Sequence, residues 1–267
     1  MTRRSVAGVG TLTLIAALVA LWMERSTIHE EIYVSGMGAA GMPTAGAFQV
    51  TLLAIALGAG LVAWAARDIR SRVRWLAVWT PAVSLWFAAG FFVVDSAVPC
   101  TPGCPVPLPG SAYFTWQDFV HTLAAVLAFA AASWAMMQCA TAVGHRALRR
   151  FSFVAAISVA TISIAGGLMS TFNFYAELGS RFELVATTIG LVWIVLLGVS
   201  LVFGRALTPH GDEHLLGQHD EPVDLVVVAV DPAALGVGAH GNEVVVPLPH
   251  HEGALGAEHI LLPPHLP

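Results

Sequence analysis

Asp118 and His121 stand three residues apart in the run Trp116-Gln117-Asp118-Phe119-Val120-His121, a spacing that puts both on one face of a helix. A carboxylate beside an imidazole orients the ring and favours its charged form, the arrangement that general acid–base chemistry uses. The pair also has a structural reading, in which Asp118 caps a helix start and His121 merely bonds to it. Both readings stay open. In the chemical one, His121 is the acid–base and Asp118 its orienting group. Arg181 then holds a phosphate or carboxylate, Asp95 or His29 completes the set, and Arg25 is a further binding candidate.

Cys100 and Cys104 flank Thr101-Pro102-Gly103. A disulfide closing this small loop is the preferred reading; zinc ligation is the weaker alternative, because no second cysteine pair accompanies them. Five prolines between Pro99 and Pro109 stiffen the same stretch, which suits a lid. Cys139 has no sequence partner and reads as packing. The chain contains no G-x-S-x-G and no H-E-x-x-H, and His29-Glu30-Glu31 lacks the second histidine of a zincin. No phosphate-cradling glycine loop or basic stripe appears. No metal site, no cofactor and no nucleic-acid partner is therefore expected.

These residues need elements to hold them. With 57% hydrophobic and only 11% charged residues among 267, the chain lacks the surface charge of a soluble domain. Six runs reach the ~20 apolar residues that cross a bilayer as helix: Ser5–Met23, Gly46–Ala66, Trp75–Val94, Phe119–Val143, Phe151–Met169 and Leu184–Phe203. The first exceeds the ~7–15 residues of a signal-peptide core and reads as a retained helix. The runs contain no Asp, Glu or Arg, and His121 is their one imidazole. An ion-coupled transporter needs an ionisable group near mid-membrane, so that class is disfavoured.

The chain has twelve arginines and no lysine. Ten of them (Arg3, Arg4, Arg67, Arg70, Arg72, Arg74, Arg146, Arg149, Arg150 and Arg205) fall on one side of a six-span arrangement. Basic residues collect in short cytoplasmic loops, which predicts a plasma-membrane protein with both termini cytoplasmic. The outward loops are then Glu24–Ala45, Asp95–Asp118 and Ser170–Glu183. There the helix ends bring acids, imidazoles and the two exceptional arginines, Arg25 and Arg181, to one depth. Pro81 predicts a kink in the third helix. Ala54/Gly58, Ala56/Gly60 and Ala165-Gly166-Gly167 predict close helix contacts.

Two domains follow: residues 1–205 as an all-α, six-helix transmembrane domain, and 206–267 as a mostly disordered tail. The tail holds eight of the eleven histidines. It also holds two β-like runs, Asp224–Asp231 and Glu243–Pro249. Its histidine spacing is irregular and completes no defined metal set. The abundance of alanine, glycine, arginine and proline without lysine suggests a GC-rich bacterial genome.

Several separated motifs resemble a bacterial six-helix membrane family catalogued as domain of unknown function 998. They are Val34-Ser35-Gly36-Met37-Gly38-Ala39 with Met42-Pro43-Thr44-Ala45, Asp95 before Cys100-Thr101-Pro102-Gly103-Cys104-Pro105, Asp118-x-x-His121, and Leu178-Gly179-x-Arg181 with Trp193 beyond. The resemblance spans about residues 1–205 and implies the six-helix fold without supplying an activity. Members of that family often carry His-Asp where this chain has Gln117-Asp118, which leaves one imidazole at the position. A looser architectural similarity to six-helix proteins of lipid remodelling is analogy alone. Two functions are expected to compete. One is a non-catalytic protein binding membrane lipid, a second copy or an envelope partner. The other is an outward-facing lipid- or ester-modifying enzyme built on Asp118 and His121.

Overall fold

The computed structural model describes residues 2–102, 104, 110, 114–143, 146–172 and 175–203. The tail, its histidines and its two β-like runs lie outside the described residues. The described residues form one compact unit. Six α-helices make it: α1 (Arg3–Ser26), α2 (Ala45–Ala65), α3 (Pro81–Ala97), α4 (Trp116–Ala140), α5 (Arg146–Thr171) and α6 (Ala176–Phe203). A short 3-10 turn at Ser35–Gly38 precedes α2, and the described residues contain no strand. All the helices except α3 have the length and apolarity to cross a membrane.

Each helix packs antiparallel on its sequence neighbour, and α6 returns to α1, closing a ring. Leu14, Leu21, Val62, Leu85, Met136, Trp193 and Leu197 fill the interior. Of the predicted small-residue positions, Gly58, Gly60 and Gly166 make close contacts, while a Cβ on Gly167 would meet nothing within 4 Å. A Cβ on Gly58 would meet Leu14 Cγ at 2.7 Å and the Gly10 carbonyl at 3.0 Å, and one on Gly166 would meet Phe182 and the Gly179 backbone. Glycine is what lets these backbones approach.

Helix α3 departs from expectation. Pro81 does not kink a longer helix; it starts one, with Thr80 as the cap accepting from the Val83 amide. Proline suits a first helical position, where its missing amide costs nothing. Residues 75–80 are therefore turns, and α3 has only 17 residues. The free carbonyls of Leu76 and Trp79 are met by the buried Gln138 amide, which donates to them at 3.0 and 2.8 Å. Ser84 donates to the same side chain's oxygen at 2.8 Å. Gln138 thus replaces the missing turn of helix.

A second departure concerns charge. At one end of the bundle the helices run past their apolar cores, so Glu24, Asp95, Asp118 and Glu183 all lie inside helices there. At the opposite end the α2–α3 and α4–α5 connections pair through Arg72 N to Thr141 O (3.0 Å) and Val143 N to Arg70 O (3.2 Å).

Candidate functional site

The site is built at the acidic end, starting from the cap of α4. Thr115 has extended backbone and accepts from the Asp118 amide at 3.0 Å. The cap is therefore Thr115, and Asp118 is the third helical residue rather than the cap expected from sequence. Its carboxylate is fully buried. It accepts from the Thr101 amide at 2.7 Å, from the Thr101 hydroxyl at 2.8 Å and from the Thr115 hydroxyl. Three donors on one buried carboxylate satisfy what burial would otherwise penalise. Asp118 thereby fixes the loop that Cys100 and Cys104 close as a disulfide, with Cα atoms 5.2 Å apart. Cys139 is free and buried.

His121 is one turn further along and bonds elsewhere. Its Nδ1 lies 2.9 Å from the Val98 carbonyl and 2.8 Å from Asp95 Oδ1. The geometry for a hydrogen bond is met at the carbonyl. Asp95 Oδ1 has no aligned hydrogen-bond donor, so the carboxylate acts on the ring mainly as a neighbouring charge. Both neighbours are acceptors, which assigns the ring proton to Nδ1. Nε2 is buried without a hydrogen-bond partner among the described residues. The carboxylate that orients His121 is thus Asp95 from α3, across the helix pair, and not Asp118 on the same face.

Beside this ring lies a cavity of about 530 Å³ between α4, α5 and the start of α6, within the ~300–1,000 Å³ typical of small-molecule sites. Ala125, Phe129, Ala130, Ala160 and Gly167 make its wall mostly apolar. Val126, Ile164 and Leu168 line it too, and all three are exposed on the outer face of the bundle. The cavity is therefore a lateral groove, open on the outer face of the bundle. Its polar end carries His121, Tyr33, Ser35 and Glu183. The Glu183 carboxylate accepts from the Val34 and Ser35 amides at 2.8 and 3.3 Å. It so ties α6 to the 3-10 turn, whose free amides attract an anion. The Tyr33 hydroxyl and Ser163 Oγ, both lining the groove, are buried without hydrogen-bond partners among the described residues.

Arg25 and Arg181, singled out by topology, do not line the groove. Arg25 donates to Glu31 Oε2 at 3.0 Å and Arg181 to Glu31 Oε1 at 2.9 Å. The Arg181 hydrogen bond, aided by both guanidinium charges, holds the Glu31 carboxyl below the usual carboxylate range. The two arginines thus clamp the end of α1 to the start of α6. His29 is exposed and also lies away from the groove. Of the sequence candidates, Asp95, Asp118 and His121 come together, while Arg25, Arg181 and His29 stand apart.

Donor atoms of Cys100, Cys104 and His121 lie within 4.8 Å of one another. With the two sulfurs joined, only the imidazole remains able to ligate a metal. Sequence reasoning passed over Tyr33 and Ser163, and placed Glu183 only among the acids gathered at the outer helix ends. Tyr33 abuts the Val34-Ser35-Gly36 motif and Glu183 follows Leu178-Gly179-x-Arg181 by two residues, so proximity to a motif was the available signal for those two. Ser163 had none.

Comparison with curated proteins finds no match, and comparison with solved structures finds none. The family model described as Protein of unknown function (DUF998) matches residues 6–200. That match covers most of the chain, including α2 to α5, most of α1 and α6, and every polar group of the groove. The chain belongs to the DUF998 family.

Proposed function

We propose that this is a multi-pass plasma-membrane protein, both termini cytoplasmic, that holds an amphiphile in the groove between α4 and α5. The observation that carries the reading is the groove itself: apolar along its wall, flanked by the outward-facing Val126, Ile164 and Leu168, and ending at the buried imidazole of His121, whose Nε2 has no hydrogen-bond partner among the described residues. An acyl chain entering sideways from the bilayer would bury apolar surface while its head reaches His121. The cytoplasmic termini rest on the arginine asymmetry. A photoreactive fatty-acyl probe tests the reading. It should label the purified protein on α4 and α5, and Ala160→Trp, which fills the groove, should suppress labelling. Equal labelling of the filled variant would refute the groove as the binding place.

A second reading, a lipid- or ester-modifying enzyme, is favoured by the free Nε2. His121 would exchange a proton with the bound head through Nε2, with Asp95 orienting the ring. Asp118 would hold the disulfide loop over the site. Lipid profiles of a deletion strain carrying wild type or His121→Ala separate the two. Identical profiles at equal expression exclude catalysis and leave binding.

A further inference from the structure

We infer that the groove selects an amphiphile with an uncharged head bearing hydroxyl or amide groups, and disfavours the same lipid with a phosphate head. This rests on the groove reading above and adds what the head must be. The inference follows from which polar groups at the groove are already committed and which are free.

The carboxylates are committed to the scaffold. Glu183 accepts from two backbone amides, Asp118 from Thr101 and Thr115, and Asp95 sits against the His121 ring. Among the side chains that line the groove, three buried polar atoms are without hydrogen-bond partners among the described residues: His121 Nε2, the Tyr33 hydroxyl and Ser163 Oγ. With the ring proton on Nδ1, Nε2 accepts, while the two hydroxyls either donate or accept. A head with donors and acceptors, such as a glycerol hydroxyl or an amide, meets all three needs. Unpartnered buried polar groups strongly reward a ligand that can pair them.

The charge balance opposes a phosphate. The described lining contains no arginine, and Arg25 and Arg181 are held by Glu31 outside the groove. Even a charged His121 is balanced by Asp95 at 2.8 Å, and Glu183 also lines the groove. A phosphate would face like charge with no guanidinium to receive it, in a partly desolvated site where such repulsion is weakly screened.

The matched probes are 1-oleoylglycerol and 1-oleoyl lysophosphatidic acid, which differ only in the phosphate. Each competes with the photoreactive fatty-acyl probe on the full-length protein in neutral detergent. We expect 1-oleoylglycerol to displace the probe at concentrations at least about tenfold lower, the factor that 1.4 kcal/mol of discrimination produces. Tyr33→Phe removes a hydroxyl that has no hydrogen-bond partner among the described residues, so it should leave thermal stability unchanged and reduce that ratio. Equal or tighter binding of the phosphate lipid overturns the head assignment and leaves the groove standing. Failure of both lipids, with labelling indifferent to Ala160→Trp, overturns the groove and this inference together.

Discussion

An imidazole with one nitrogen committed and the other buried without a hydrogen-bond partner among the described residues is set up differently from one saturated on both sides. Val98 and Asp95 hold Nδ1 of His121, so ring rotation is blocked and Nε2 keeps one direction. Asp118 has a different task. Asp118→Ala would strand the Thr101 amide together with the Thr101 and Thr115 hydroxyls. A loss of about 2–3 kcal/mol is expected from such unmet buried donors, read as a lower denaturant midpoint in mixed micelles. Reduction of the Cys100–Cys104 disulfide by a soluble thiol should accelerate in the same variant, because Asp118 holds that loop. Glu31 gives a pH signature. Its folded carboxyl titrates below its unfolded value of about 4.3, so the clamp contributes fully above that value and is lost as pH falls through the folded value. Wild type should therefore lose more stability on acidification than Glu31→Gln. The effect is small, because the clamp is solvent-exposed.

At the scale of helices, glycine position decides the sign of a substitution. A Cβ on Gly58 would press Leu14 Cγ and the Gly10 carbonyl, neither of which can swing aside, whereas one on Gly90 meets nothing within 4 Å. Gly58→Ala should cost about 1–3 kcal/mol by overpacking. Gly90→Ala should be neutral or stabilising by up to about 1 kcal/mol through helix propensity. Unfolding of the two variants side by side, in one detergent, checks the contrast. Gln138 makes a further case. It is buried and bonds Leu76, Trp79 and Ser84, so Gln138→Leu leaves two carbonyls unmet at the start of the short helix α3. Destabilisation of about 2 kcal/mol or more is expected, following the cost of buried unsatisfied groups.

For the whole molecule, the arginine asymmetry predicts that a reporter active only outside the cytoplasm is silent when fused after Arg205 and active when fused after Glu30. The opposite pattern would invert the topology. Helix number and placement were legible in the sequence because an apolar run of bilayer length is a one-dimensional signal. Helix ends were less so: Asp95, Asp118 and Glu183 sit in terminal turns that hydropathy treats as loop, and Pro81 starts a helix instead of bending one. The Cys100–Cys104 bridge was legible because loop closure is local. Pairings across helices were not. Spacing along α4 suggested Asp118 for His121, since neighbours on one helix face are all that periodicity reports. By itself, then, the sequence determined the membrane class, the six helices, the disulfide loop and which residue types gather at one end. Only the tertiary structure decided that Asp95 orients His121, that Arg25 and Arg181 serve Glu31, and that a groove opens beside Nε2. Those outcomes depend on distances between separate helices, which packing sets and no linear spacing encodes.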